Sequence, residues 1–221
     1  MNLQQTFPAT ADLILLAASW IGYFLIHSWL ASLGMKRWLE RHRPDWLAAY
    51  RLVYNLLATL LLLPPLVLMW QFRTAPLWHW EGGMALLAYL LMLLACAGFI
   101  WSLRWYDSRE FLGLRQWQRQ QQDIRDQERL HISPLHRYVR HPWYSLGLVL
   151  VWTQDMDPAR LLSAVLITLY LVLGSWLEER KLIVYHGERY RAYLQRVPGL
   201  IPLPGRVLSK AEAEALSQSE N

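Results

Sequence analysis

The sequence has a single cysteine and few charged side chains. Cys96 lies in the middle of an apolar run, so it cannot form an internal disulfide, and we expect it to be a small core residue. The sequence has no Cys/His cluster with metal-ligand spacing and no GxGxxG phosphate-binding segment. Charged residues make up 18% of the chain, against about 25% in soluble domains. These absences disfavour a disulfide-stabilised scaffold, a metal centre and a dinucleotide-binding fold.

Long apolar runs take the place of that charge. Hydrophobic residues make up 54% of the 221 residues, and 13 of them are tryptophan. Runs 11–34, 52–70 and 82–103 are almost free of charge, and the last is longer than the roughly 20 residues that a membrane-spanning helix needs. Three such runs in one small chain predict an all-α integral membrane protein.

Charge between the runs predicts the orientation. Segment 36–43 is strongly basic, loop 71–81 has one Arg and one Glu, and 104–140 is rich in Arg. The positive-inside rule then places 36–50 and 104–140 in the cytoplasm and the N-terminus outside. The net charge of +5 is explained by these loops, so nucleic-acid binding is disfavoured. The first run lacks a basic leader segment and a cleavage site, which indicates a retained span.

Two further apolar segments, 143–152 and 161–177, flank a polar turn in which Pro158 is placed to start a helix. They predict a helical hairpin with a short first arm, and a total of five transmembrane helices with the C-terminus in the cytoplasm. We expect residues 1–205 to form one membrane domain. The polar tail 206–221 is expected to be a frayed helix or disordered.

Ionisable residues stand at both cytoplasmic ends of this hairpin. Arg140, His141 and Tyr144 begin the first arm, and Glu178 and Glu179 end the second. Charged groups at a membrane edge are costly and are therefore functional candidates. Two acids, an Arg, a His and a Tyr would suit a cationic ligand with polar handles. The alternative is that they are interface anchors that pair with each other.

Together with the segment GERYRAYLQRVPGLIP (187–202), these residues resemble the isoprenylcysteine carboxyl methyltransferase and phospholipid methyltransferase superfamily. That superfamily has RHPxYxG, a hairpin, EExxL and then GxxYxxYxxxVPxxxP, and here the first glycine comes one residue late. The resemblance implies a membrane-embedded site for S-adenosyl-L-methionine. The matching positions are Arg140, His141, Pro142, Tyr144, Gly147, Glu178, Glu179, Leu182, Gly187, Tyr190, Tyr193, Val197, Pro198 and Pro202.

The resemblance also implies which residues bind the cofactor. Leu130 and His131 would supply backbone contacts, Glu178 would hold a polar handle, and the two C-terminal tyrosines would either cap the pocket or dock their helix. The implied cofactor residues are Leu130, His131, His136, His141, Pro142, Trp143, Tyr144, Glu178, Glu179, Tyr190 and Tyr193.

A thiol acceptor reacts as its thiolate, so a base or a positive field near the acceptor would help. The catalytic candidates are His27, Arg140 and His141. His27 either contacts the substrate or is a hydrogen-bonded core histidine. His141 is expected to bind the cofactor more than to act as the base.

The rest of the chain narrows the resemblance. GYFLIHSWLAS (22–32) and FLGLRQ (111–116) are similar to the bacterial methanethiol S-methyltransferase branch. Isoprenylcysteine enzymes have an Arg, where this chain has Gly174, to hold a substrate carboxylate, so that substrate is disfavoured. The expected function is methyl transfer to a small thiol or lipophilic acceptor in the bacterial inner membrane, with no metal. The alternatives are a lipid amine methyltransferase and a non-catalytic membrane accessory protein.

Overall fold

The computed structural model describes residues 8–119, 130 and 132–218. Within these residues the secondary structure is helical, apart from an isolated antiparallel bridge between Trp78 and Met156. The all-α expectation is confirmed. The helices are α1 (Thr10–Ala31), α2 (Leu33–His42), α3 (Leu47–Gln71), α4 (Gly82–Ser102), α5 (Ser108–Leu112), α6 (Leu114–Gln118), α7 (Pro142–Trp152), α8 (Pro158–Arg196) and α9 (Lys210–Gln218), with short 3-10 turns at Pro44–Trp46, Leu103–Trp105 and Leu135–Arg137.

Four of the described helices are long and apolar enough to cross a membrane: those in Thr10–Ala31, Pro44–Gln71, Gly82–Trp105 and Pro158–Arg196. The fifth expected span, α7, has 11 residues. At 1.5 Å per residue it is about 16 Å long, roughly half of the hydrocarbon core. The structure therefore supports an all-α membrane protein with four long apolar helices, and the count of five spans stays a prediction.

The chain divides into two compact units. In the first, α1 packs along α3, and the start of α8 joins them through the Trp20 indole, which donates to Ser163 Oγ at 2.9 Å. The corner between α5 and α6 also lies on α3. Asn55 Nδ2 donates to the carbonyl oxygens of Phe111 and Leu112 at 3.0 and 3.2 Å, which caps the end of α5.

Gly113 is required at that corner. Its φ is +88°, and a Cβ there would lie 2.8 Å from Arg51 Cβ and from the Leu52 backbone nitrogen. Only a residue without a side chain adopts this backbone and allows this approach. The glycine of the FLGLRQ segment is thus explained by helix packing.

The second unit contains α4, α7, most of α8 and α9. α7 packs against α4, where Leu146 lies over Gly98 and the Trp143 indole donates to Ser102 Oγ at 2.9 Å. Trp152 Nε1 donates to Thr168 Oγ1 on α8 at 3.0 Å. Cys96 on α4 is exposed, so the expectation of a core residue was wrong. An all-apolar helix gives no sequence signal for which face turns inward.

α8 breaks at Gly187, which has φ 54° and ψ −130°. Beyond the break, Tyr190, Tyr193 and Val197 turn into a buried apolar cluster that also contains Leu208 and Ala213. Since Ala213 belongs to α9, the helix alternative for the tail is the one observed, and its inner side is packed.

Candidate active site

The start of α7 positions the Arg140-His141-Pro142 triplet. Pro142 occupies the first turn of α7, where its missing N–H costs no helical hydrogen bond. The backbone N–H groups of Arg140 and His141 donate to the carbonyl oxygens of Pro198 and Gly199, at 2.8 and 3.1 Å. The segment that follows α8 therefore holds the backbone of Arg140 and His141 in place just before α7 begins.

One carboxylate oxygen of Glu179 accepts hydrogen bonds from both the arginine and the histidine of the triplet. Glu179 Oε1 accepts from Arg140 Nε at 2.8 Å, from Arg140 Nη2 at 2.7 Å and from His141 Nε2 at 3.0 Å. The side chains of Arg140 and Glu179 are each 13% exposed, and that of His141 is 5% exposed. Arg140 Nη1 also donates to the carbonyl oxygens of Leu194 and Val197. The charges are therefore paired as well as buried, which a stable buried cluster requires.

Glu178 differs from its neighbour. Its side chain is 48% exposed, although it lies beside the same histidine. Glu178 Oε2 accepts from the Tyr144 hydroxyl at 3.2 Å and lies 3.5 Å from His141 Nδ1. The Tyr144 and His141 rings stack with centroids 5.3 Å apart and an interplanar angle of 10°. An accessible carboxylate thus borders a pair of stacked rings.

The direction in which the His141 pKa is shifted follows from these neighbours. Burial lowers the pKa of His141, but hydrogen bonds to Glu178 and Glu179 and the charges of both carboxylates outweigh it, so the pKa lies above its usual value. A protonated imidazole donates from both nitrogens and has no lone pair to accept a proton. The raised pKa favours the protonated form, which suits His141 to holding the two carboxylates more than to acting as a general base.

The remaining predicted cofactor residues lie close to this cluster or behind it. Trp143 is directed at α4 through its bond to Ser102. His136 Nδ1 is 2.7 Å from Ser133 Oγ, and the His136 carbonyl oxygen accepts from the Tyr193 hydroxyl at 2.6 Å. Leu130 packs in the buried cluster with both C-terminal tyrosines, a contact that supports the helix-docking alternative for them. His131 lies outside the described residues.

His27 belongs to the first unit, and the Arg140-His141-Glu179 cluster belongs to the second. Its Nε2 is 2.8 Å from the Tyr54 hydroxyl of α3, and its ring centroid is 5.5 Å from those of Tyr23 and Tyr54. The Tyr54 contact was not predicted, although a tyrosine in the next apolar run was a usable signal. The Leu194 and Val197 carbonyls that hold Arg140 were missed too, because backbone acceptors leave no sequence signal.

These features define a class: an all-α membrane protein with a buried Arg-His-Glu cluster beside an accessible carboxylate. The chain belongs to the methanethiol S-methyltransferase family, one of the isoprenylcysteine carboxyl methyltransferase-like methyltransferases.

The similarity covers most of the chain. The chain is 35% identical over 198 residues to a methanethiol S-methyltransferase of Mycobacterium tuberculosis, and the alignment covers 84% of this chain and 77% of that protein. It is 34% identical over 187 residues to one of Pseudomonas sp. (strain GM41(2012)), covering 80% and 68%. Methanethiol S-methyltransferase 1 of Bradyrhizobium diazoefficiens is 32% identical over 206 residues, covering 89% and 70%. No protein-family model and no solved structure matches the chain.

Proposed function

We propose that this protein is an S-adenosyl-L-methionine-dependent integral membrane methyltransferase whose acceptor is methanethiol or another small thiol. The observation that carries the proposal is the pair of adjacent glutamates with different surroundings. Glu179 is buried against Arg140 and His141, while Glu178 beside it remains half exposed. Relatives named for methanethiol methylation support the choice of a small thiol.

The chemistry of the exposed side of the cluster fits this cofactor. S-adenosyl-L-methionine carries a sulfonium, an ammonium group and ribose hydroxyls. A half-exposed carboxylate can accept from the ammonium or the hydroxyls, and the neutral Tyr144 ring beside it can attract a cation. We propose that Glu178, His141 and Tyr144 hold it, with Leu130 and His131 contributing backbone groups and Trp143 contributing apolar contact.

Other residues of the cluster have a supporting role in this proposal. Arg140 and Glu179 hold His141 and fix the backbone before α7, so that Glu178 and Tyr144 keep their separation. Tyr190 and Tyr193 dock the last part of α8 beneath the site. A group held in place in this way contributes to methyl transfer by orientation, which is the main requirement of an in-line displacement.

When bound, the cofactor would supply an electrophilic methyl group on a sulfonium. The acceptor thiol must lose its proton for its sulfur to form the new carbon–sulfur bond, and the products are a thioether and S-adenosylhomocysteine. We propose His27 as the proton acceptor, with Tyr54 orienting its ring. Gly174 offers no cation for a substrate carboxylate, which agrees with a small neutral acceptor.

We also propose that α7 and the apolar part of α8 form a hairpin in which α7 makes a fifth, short crossing. The membrane would be a bacterial inner membrane. The N-terminus would then be outside and the C-terminus in the cytoplasm. Reporter fusions at each terminus test this, because a phosphatase is active only outside and a fluorescent protein folds only inside.

The function is tested with purified full-length protein in proteoliposomes that contain phosphatidylethanolamine, with methanethiol and S-adenosyl-L-methionine. We expect dimethyl sulfide in the headspace by gas chromatography, loss of that product for Glu178→Ala, and an unchanged rate for Glu188→Ala. Glu188 is the matched control, since it lies on the same helix with a side chain 91% exposed. Methylated phosphatidylethanolamine without dimethyl sulfide would favour the lipid amine alternative, and absence of both products would favour the accessory-protein alternative.

A further inference from the structure

The corner between α1 and α2 contains an apolar groove that the proposed methyl transfer does not use. Trp29, Gly34, Met35 and Trp38 line it, and its volume is about 360 Å³. Trp29 and Trp38 are 60% and 51% exposed, so two indoles face outward where the first apolar helix ends. Exposed tryptophans at the end of a span are typical of the membrane interface.

The outward face of α2 combines this groove with positive charge. Gly34, Arg37, Trp38 and Arg41 are spaced i, i+3, i+4 and i+7, which places them on one helix face. Both arginines are exposed and one turn apart. Arg37 Nε donates to the Leu33 carbonyl oxygen at 3.3 Å, which uses one of its five N–H donors.

The groove wall is fixed in place. Ser32 Oγ accepts from the Met35 N–H at 3.2 Å and so caps the start of α2. The Trp38 indole stacks on His42 with centroids 5.0 Å apart, and His42 Nδ1 is 2.8 Å from the Trp38 carbonyl oxygen. A site whose walls are already held loses less conformational entropy on binding.

α2 is also confined to the membrane boundary. It lies between the candidate spans Thr10–Ala31 and Pro44–Gln71, with single residues linking it to each. Segment 36–43 has four Lys or Arg residues and one Glu. Basic segments next to spans bind anionic lipids at the cytoplasmic leaflet.

We propose that the α1–α2 corner binds one anionic phospholipid, with an acyl chain over Gly34 between the two tryptophans and the phosphate at Arg37 and Arg41. A small soluble anion would use the arginines and leave the groove empty. A zwitterionic lipid would bring a cation toward the same arginines. Gly34 lines the groove, and a Cβ there would meet only Ser32 Oγ at 3.6 Å, so we expect a large side chain at this position to take up groove volume. This inference does not depend on the proposed methyl transfer.

The test is native mass spectrometry of the delipidated full-length protein with phosphatidylglycerol and phosphatidylcholine of the same acyl chains. We expect one tightly bound phosphatidylglycerol and a clear preference over phosphatidylcholine. The double variant Arg37→Gln/Arg41→Gln should lose about fivefold in affinity for each arginine removed, or about 25-fold in all. Gly34→Leu should weaken both lipids, because it fills the groove. Arg73→Gln, an exposed arginine of the same unit, is the control and should bind as the wild type does.

Three outcomes would overturn the proposal. The first is equal binding of the two lipids by the wild-type protein. The second is an unchanged lipid preference in the double arginine variant. Both arginines are exposed, so this variant stays informative even if Gly34→Leu unfolds. The third is displacement of the bound lipid by millimolar inorganic phosphate, which would indicate a simple anion site.

Discussion

Arg140 and Glu179 form a buried ion pair in which Nε and Nη2 of the arginine both donate to Oε1 of the glutamate, at 2.8 and 2.7 Å. The two residues are 39 positions apart, so the pair ties the start of α7 to α8. Glu178, the next residue, is half exposed and contacts both Tyr144 and His141. The two adjacent carboxylates therefore differ in exposure and in partners, which is the basis of the separate roles proposed for them.

Replacing each glutamate in turn should separate these roles. Glu179→Ala leaves the largely buried Arg140 without a carboxylate and removes one of the two carboxylates beside His141, and breaking a buried pair costs about 3–5 kcal/mol. Glu178→Ala removes a half-exposed group and should cost about 1 kcal/mol or less. Thermal unfolding in detergent is the measurement. A melting temperature for Glu179→Ala equal to that of Glu178→Ala would show that the ion pair does not hold the cluster.

The raised pKa of His141 predicts that stability falls as the pH rises. In the unfolded chain the histidine titrates near pH 6.5. Because the folded pKa is higher, the stabilisation is fully present below about pH 6.5 and is lost as the pH rises through the folded value. The melting temperature of the wild type should therefore fall more than that of His141→Gln between about pH 6 and about pH 9. Parallel curves for the two proteins would contradict a charged His141.

The break in α8 at Gly187 predicts a cost for any side chain there. With φ 54° and ψ −130° the residue lies in a region that is nearly restricted to glycine. A Cβ meets no atom within 4 Å, so the cost of Gly187→Ala is backbone strain alone, about 1–3 kcal/mol.

Gly174 is the matched control, since it lies in the same helix with open space around its Cα and without a positive φ. Gly174→Ala should stabilise the protein by about 0.5–1 kcal/mol through helix propensity. Unfolding midpoints that move in the same direction for both variants would argue against the break.

The contact between His27 and Tyr54 predicts a kinetic signature if His27 accepts the thiol proton. His27→Asn should lower kcat by about 10²- to 10⁴-fold and remove the pH dependence that the histidine imposes, while cofactor affinity stays unchanged. Tyr54→Phe should shift that pH profile with a smaller loss of rate. An intact pH profile in His27→Asn would assign His27 to the structural core.

Much of the cluster was predictable from local sequence. The arginine, histidine and tyrosine before one apolar segment and the two glutamates after the next follow the family pattern, and the structure brings Arg140, His141 and Tyr144 to Glu178 and Glu179. The sequence could not predict which of the two glutamates is buried and which is exposed. Both residues are glutamates, and which of them is exposed depends on which side of α8 packs against the start of α7, which the residue types do not show.

The hairpin and the tail are two further examples. The sequence already indicated a short first arm for the hairpin, and α7 has 11 residues, while the count of five spans stays a prediction. The tail has a polar composition, yet Leu208 and Ala213 are buried because the break at Gly187 turns the end of α8 toward them. The burial of the tail rests on contacts between residues far apart in the chain and on backbone conformation at a single residue.

The most direct test of the proposed site is calorimetric binding of S-adenosylhomocysteine to the detergent-solubilised protein. The wild type and Glu188→Ala should bind with micromolar affinity, and Glu178→Ala should show no measurable binding while remaining folded and monodisperse. Absence of binding in a folded wild-type sample would contradict the methyltransferase proposal. Equal binding by Glu178→Ala would show that the accessible Glu178 carboxylate does not bind the cofactor.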